Sequence, residues 1–162
     1  ADAGVIADVD KRFGDTFGRY YGGLVEEYGS EGAEVVLVGM GSVTGTARIV
    51  VDRLQEQGLK VGLVKLRYYR PFPAEYFQGL GRRVKAIGVI DRDLSFGYEG
   101  AVASDVKAAL LGSGIGAKVI NFVAGIAGRD ITKENLEEMY RKLFARAEGR
   151  EEPGLQFVGM RW

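Results

Sequence analysis

Asp91, Arg92 and Asp93 close an apolar run, Val84 to Asp91, and a Gly-rich turn then leads to Glu99. Two carboxylates at Asp-x-Asp spacing after a strand can hold Mg²⁺ or divide acid and base work between them. Here the third acid that a hard cation would want is missing nearby except for Glu99. That residue is expected to open the next helix, where its charge favours the helix dipole. Arg92 between the acids points to ion pairing instead. The loop is therefore read mainly as an interface or connecting element.

A second stretch with chemical promise is GMGSVTG, from Gly39 to Gly45. A Gly-rich turn between strand and helix can bring backbone N–H groups against a phosphate. Gly39, Gly41, Ser42 and Gly45 would form that cradle, with Arg67 at the end of the following strand suited to a 2′-phosphate. The spacing is G-x-G-x-x-x-G, however, and the ribose-binding acid of the dinucleotide fingerprint is absent. Tight βα turns need glycine and a hydroxyl cap in any case, and that is the favoured reading. RPFP, Arg70 to Pro73, is a connector stiffened by two prolines. It serves as a rigid link or as a lip that presents Arg70 and Phe72 to a neighbour. In GIAGRDIT, Arg129 and Asp130 either bind an anion or cap the last helix, and the cap is favoured.

Composition narrows the chemistry. The 162 residues contain no cysteine and no histidine. This chain can supply no Fe–S ligand, no thiolate and no histidine for a triad or a zinc site. Lys and Arg number 22, as do Asp and Glu, so no basic excess marks a nucleic-acid binder. No apolar run approaches a membrane span and no signal-peptide pattern opens the chain, so a cytoplasmic location is the default expectation. The first residue is alanine, not methionine, and a linker-like start fits a piece of a longer chain.

The elements that must position these residues alternate from Glu34 onward. Strands are expected over Glu34 to Gly39, Lys60 to Arg67, Val84 to Asp91 and Ala117 to Gly125. Helices are expected between and after them. The first places Val43, Ala47, Val50, Val51 and Leu54 on one face. A short second one begins near Pro73, a third stops at Gly112, and the last is capped by Asp130 or Thr132. Four strands alternating with four helices imply an α/β fold: a three-layer, open, mostly parallel sheet with helices on both faces. Residues 1–33 are expected as a linker or remnant of a preceding domain, in which VIADVDKRFGDTF could be helical. Residues 34–148 form the α/β domain. Residues 149–162 form a tail whose Phe157, Val158, Met160 and Trp162 pack on the domain or on a partner.

The strand-turn-helix stretch from Ala33 to Phe77, the DRDLSFGYEGA loop and FVAGIAGRDIT occur together and in order. Together they resemble the transketolase-C-terminal-like domain at the end of the alpha chain of 2-oxoacid:ferredoxin oxidoreductases, with the third-strand loop similar to the pyruvate branch. The resemblance spans about residues 18 to 162. It implies a complex that converts pyruvate, coenzyme A and oxidised ferredoxin to acetyl-CoA, CO₂ and reduced ferredoxin. Thiamine diphosphate, Mg²⁺, Fe–S clusters and coenzyme A are then held by other domains and subunits, and none by this chain. No family catalytic residue is carried over. By this resemblance the domain is a scaffold, and Arg70, Phe72, Asp91, Arg92, Asp93, Glu99 and Arg129 are its loop and interface candidates. Two rival expectations stand beside it: a free-standing Rossmann-like NADP-binding protein, and a relative acting on another 2-oxoacid.

Overall fold

The computed structural model describes residues 3–111, 113–150 and 152–160. Six strands form one sheet in the order β1-β3-β2-β4-β5-β6. They are β1 (Val25–Tyr28), β2 (Val35–Gly39), β3 (Val61–Leu66), β4 (Ala86–Asp91), β5 (Lys118–Ala124) and β6 (Leu155–Val158). β1 runs antiparallel to β3, and every other pairing is parallel. The helices are α1 (Ala3–Phe17), α2 (Val43–Glu56), α3 (Ala74–Arg83), α4 (Ala101–Leu110) and α5 (Lys133–Ala147). The three-layer α/β expectation therefore holds.

The central strands are uninterrupted apolar runs because both faces are covered. All five residues of β2 and all six of β4 are buried. Their alternate side chains serve two cores. Val35, Leu37, Leu63 and Phe122 meet α2 and α5 on one face, while Val36, Val38, Val64, Ile87 and Val89 meet α3 and α4 on the other. α5 shows how helical spacing selects the buried stripe. Leu136, Met139, Tyr140 and Leu143 fall at i, i+3, i+4 and i+7, and all four are buried. Its start is Thr132, whose hydroxyl accepts from the Asn135 N–H while the Asn135 side chain accepts from the Thr132 N–H. Of the two cap candidates, Thr132 is the one used. The buried Tyr140 hydroxyl donates to the Gly62 carbonyl at 2.8 Å, which stitches α5 to β3.

Two strands lie where none was expected. β1 sits inside the segment read as a linker, where Val25, Glu26, Glu27 and Tyr28 are too few and too polar to signal a strand. It is a short edge strand whose glutamates find partners in the fold. Glu26 pairs with Arg48, and Glu27 accepts from Ser30, from the Tyr76 hydroxyl at 2.8 Å and from Arg83 at 2.8 Å. β6 comes from the tail and extends the sheet beside β5, burying Val158. Trp162 and Gly112 lie outside the described residues; α4 ends at Leu110. VIADVDKRFGDTF is helical as part of α1. No helix among the described residues is long and apolar enough to cross a membrane.

The contacts of Glu27 carry a pH dependence. Partial burial pushes its carboxyl up, but the Arg83 guanidinium with the Ser30 and Tyr76 hydroxyls outweighs this and holds it below the usual range. A lowered folded-state value means the stabilisation is complete above the unfolded value and is lost as pH falls through the folded one. The urea midpoint is expected to drop on acidification through and below the ordinary carboxylate range. Glu27→Gln should flatten that drop; an unchanged pH profile in the variant would show that β1 is held without the carboxylate.

Candidate functional site

The chain passes from β2 to β3 on one side and later to β4 on the other, so the sheet reverses its winding between β2 and β4. In open α/β sheets, ligands bind outside the carboxyl ends of strands at such a point. A crevice of about 280 Å³ lies there. Met40 after β2 and Val43 at the start of α2 form one wall. Ile90, Asp91, Arg92 and Asp93 form another with Ala101 and Val102 of α4, and Tyr69 closes it.

Asp91 is buried at its base, with every oxygen engaged within the fold. Oδ1 accepts from the Val102 N–H at 3.1 Å, and Oδ2 accepts from the Ala103 N–H at 3.1 Å and from Asn121 Nδ2 at 2.9 Å. A carboxylate at the end of β4 thus caps α4, satisfying donors that a helix leaves open at its start. Asn121 completes the hub from β5. Its Oδ1 accepts from the Gly100 N–H at 2.8 Å, and its Nδ2 also donates to the Val89 carbonyl at 3.3 Å. Burial raises the Asp91 pKa, with Asp93 adding to the effect, and the Ala103, Val102 and Asn121 donors offset only part of it. Asp91 is therefore a structural cap. Among the described residues, no group of three or more potential ligands is placed to hold a metal ion.

Two expectations for this loop are corrected. Glu99 stands just before the N-cap Gly100 but takes no α4 backbone N–H among the described residues; it is buried, pairs with Lys107 and accepts from the Ser104 hydroxyl at 2.9 Å. Asp91 fills the position assigned to it. Arg92 forms no ion pair with Asp91 or Asp93 among the described residues; its Nη2 donates to the Arg129 carbonyl at 3.4 Å. Asp93 is exposed and within 3.5 Å of the Ser95 hydroxyl. Arg129 is exposed, and its backbone serves the contact with Arg92 while Thr132 caps the helix. Asn121 was missed, because a lone asparagine in an apolar run gives no signal until β5 is laid beside β4.

The connector is also more inward than expected. Phe72 stacks on the buried Phe77 with ring centres 5.2 Å apart. Arg70 lies over the Tyr69 ring at 3.9 Å and pairs with Asp105 at 2.8 Å, to which the Tyr69 hydroxyl donates at 2.6 Å. In the Gly-rich turn, Gly39 ends β2, Gly41 has φ of 69°, Ser42 precedes α2 and Gly45 lies within it. Ser42 makes no capping bond, whereas the Thr44 hydroxyl donates to the Gly41 carbonyl at 2.7 Å. Arg67 is committed elsewhere. It donates to the Gly23 carbonyl at 3.0 Å, lies 3.6 Å from Asp10 and faces the Tyr21 and Tyr68 rings, which anchors the N-terminal segment. Its role in a nucleotide site has no support in that arrangement.

Residues 33–136 match the family model described as pyruvate:ferredoxin oxidoreductase core domain II. The chain belongs to that family. Relatives of this core domain II chain include the ketoisovalerate oxidoreductase subunit VorA of Pyrococcus abyssi. It is 41% identical over 133 residues, covering 82% of this chain and 34% of the relative. The pyruvate synthase subunit PorA of Methanothermobacter thermautotrophicus is 41% identical over 138 residues, 85% of this chain and 35% of the relative. The chain thus spans about a third of the length of these relatives. The 2-oxoglutarate:ferredoxin oxidoreductase of Magnetococcus marinus shares the fold with a TM-score of 0.60 at 22% identity. That similarity covers 88% of this chain and 23% of the larger one. A split-gene transketolase also shares it, at a TM-score of 0.60 and 18% identity over 78% of this chain and 43% of the other.

Proposed function

We propose that this core domain II chain is a non-catalytic assembly domain of a 2-oxoacid:ferredoxin oxidoreductase acting on pyruvate. In this reading the complex takes pyruvate, coenzyme A and oxidised ferredoxin to acetyl-CoA, CO₂ and reduced ferredoxin. Thiamine diphosphate, Mg²⁺, Fe–S clusters and coenzyme A sit in other domains and subunits, in the cytoplasm. The observation that carries the reading is the use of Asp91. In a chain without Cys or His, the buried carboxylate at the sheet's ligand-binding edge is consumed by α4 and Asn121, which leaves a scaffold rather than an acid/base site.

The test is co-purification and add-back. The chain is expected to travel with the remaining parts of a brown, Fe–S-containing complex, and by itself to show no turnover of pyruvate with a ferredoxin or dye acceptor. NADP(H) is expected to leave its melting temperature unchanged, whereas a true ligand at a hundredfold its Kd would add about 2.7 kcal/mol. Turnover by the chain alone, or micromolar NADP(H) binding, would overturn the reading. A second substrate has a specific observation behind it: the VorA and PorA relatives are equally similar at 41% identity. A complex that prefers a branched-chain 2-oxoacid over pyruvate would move the assignment to that branch.

A further inference from the structure

The hub at the start of α4 is complementary to one ionisation state of Asp91. Its three partners, the Val102 N–H, the Ala103 N–H and Asn121 Nδ2, are neutral donors, and none of them can accept from a protonated carboxyl. Asn121 is fixed just as tightly. Nδ2 spends both hydrogens, on Asp91 Oδ2 and on the Val89 carbonyl, while Oδ1 accepts from the Gly100 N–H. Turned over, the amide would set Nδ2 against the Gly100 N–H and Oδ1 against the Val89 carbonyl. Val89, Asp91, Gly100 and Asn121 are all buried by this chain's own strands and helix. The hub is therefore internal, whatever packs on the outside of the sheet's carboxyl edge.

Two effects oppose each other at Asp91. The donors favour the carboxylate, and burial favours the neutral acid. Burial is the larger and carries Asp91 above the usual carboxylate range, with Asp93 of the same loop adding to it. The cations nearby are engaged elsewhere. Arg92 turns to the Arg129 carbonyl, Lys107 of α4 pairs with Glu99, and Arg70 and Tyr69 across the crevice both serve Asp105. From the β2 side the crevice presents only Met40 and Val43. Glu27 and Glu34, by contrast, are held below the usual range by their basic and hydroxyl partners. Asp91 thus takes its proton while those carboxylates remain ionised.

We infer that Asp91 and Asn121 form a proton-operated amide switch, which holds Gly100 while Asp91 is ionised and frees it when Asp91 is neutral. A proton from solvent binds Oδ2 and displaces the Asn121 Nδ2 donor. The new O–H needs an acceptor, and the hub's side-chain acceptor is Asn121 Oδ1. Turning the amide presents Oδ1 to Asp91 and carries Nδ2 to the Gly100 N–H, donor to donor. The bonds of Nδ2 to Asp91 and Val89 and the bond to Gly100 break, and one O–H to O bond forms. Gly100 is the N-cap of α4, and just before it the Ser95 N–H donates to the Glu99 carbonyl. The backbone set free is therefore the lead-in between β4 and α4. The switch belongs to this domain's own fold and does not depend on the assembly role.

Amide NMR of the 162-residue chain through an acid titration tests it. The Gly100 backbone signal and the Asn121 side-chain signals are expected to move together, with one midpoint above the ordinary Asp value of about 3.9. Below that midpoint, protection of the Gly100 N–H from hydrogen exchange, corrected for the intrinsic rate, should fall about tenfold, the effect of losing one hydrogen bond. The amides of α5 should stay protected. Glu99→Gln removes the neighbouring buried carboxylate and should leave the midpoint in place. Asp91→Asn puts a permanent donor where the proton would sit and should leave Gly100 unprotected at every pH. Gly100 and Asn121 signals that do not move down to the ordinary carboxylate range overturn the inference. A titration that vanishes in Glu99→Gln overturns it too, since the proton would then sit on Glu99. So does a titration that leaves Gly100 protected throughout, or a loss of protection shared equally by α5.

Discussion

Gly100→Ala is expected to cost about 3 kcal/mol or more, the upper end for overpacking a core. The backbone at Gly100 is ordinary, with φ of −65° and ψ of 146°, so conformational freedom is not the reason for glycine. A Cβ there would stand inside the carboxylate of Asp91. Asp91 cannot retreat, because it holds the Val102 and Ala103 N–H groups and Asn121, and Asn121 in turn holds the Gly100 N–H. Making room would strip a buried carboxylate of its donors and leave the start of α4 uncapped, and each unsatisfied buried group adds about 1–3 kcal/mol. Gly45→Ala provides the contrast. Gly45 is inside α2 with nothing within 4 Å of its added Cβ, so alanine there should be neutral or stabilising by up to about 1 kcal/mol. Urea unfolding of the two variants separates the ideas. A Gly100→Ala protein as stable as wild type would refute the packing of the hub.

Phe77→Ala should cost about 3–5 kcal/mol. Phe77 is fully buried on α3, stacked on Phe72 at 5.2 Å and edge-on to Tyr76 at 5.4 Å. Its removal leaves a ring-sized hole under the Arg70–Pro73 connector. Phe72→Ala removes a half-buried ring and should cost less. The double variant should lose less than the sum of the two by about 0.5–1.5 kcal/mol, the coupling of an aromatic pair. Thermal or chemical unfolding of the three proteins gives the cycle directly. Additive losses would mean that the connector is held by its prolines rather than by this stack.

Much of the architecture was written in local pattern. β2, β3, β4 and β5 announced themselves as β-branched runs because strands buried on both faces need apolar residues throughout. The helices between them announced themselves by periodicity, and the family by the order of its turns. β1 and β6 stayed hidden. An edge strand has one open face, so Val25, Glu26, Glu27 and Tyr28 carry little apolar signal. β6 is a short tail segment paired with β5, and the strand gains its partner only when the sheet is assembled.

The candidate site divides along the same line. By itself the sequence determined what chemistry was out of reach, since no fold can supply a cysteine or histidine ligand that the chain lacks. It also determined that Asp91, Arg92 and Asp93 would stand at the carboxyl end of a strand, because strand length and loop position are local properties. Only the tertiary structure decided what those residues do. Whether a carboxylate is free or consumed depends on which donors surround it, and those of Asp91 arrive from α4 and from Asn121, 11 to 30 residues away in the chain. In the same way, Glu99 turned from a helix-dipole partner into a buried partner of Lys107, and Arg67 from a phosphate ligand into an anchor for the N-terminal segment. Hydrogen bonds and desolvation act over a few ångströms of space, and sequence spacing does not encode those distances until the sheet brings its strands side by side.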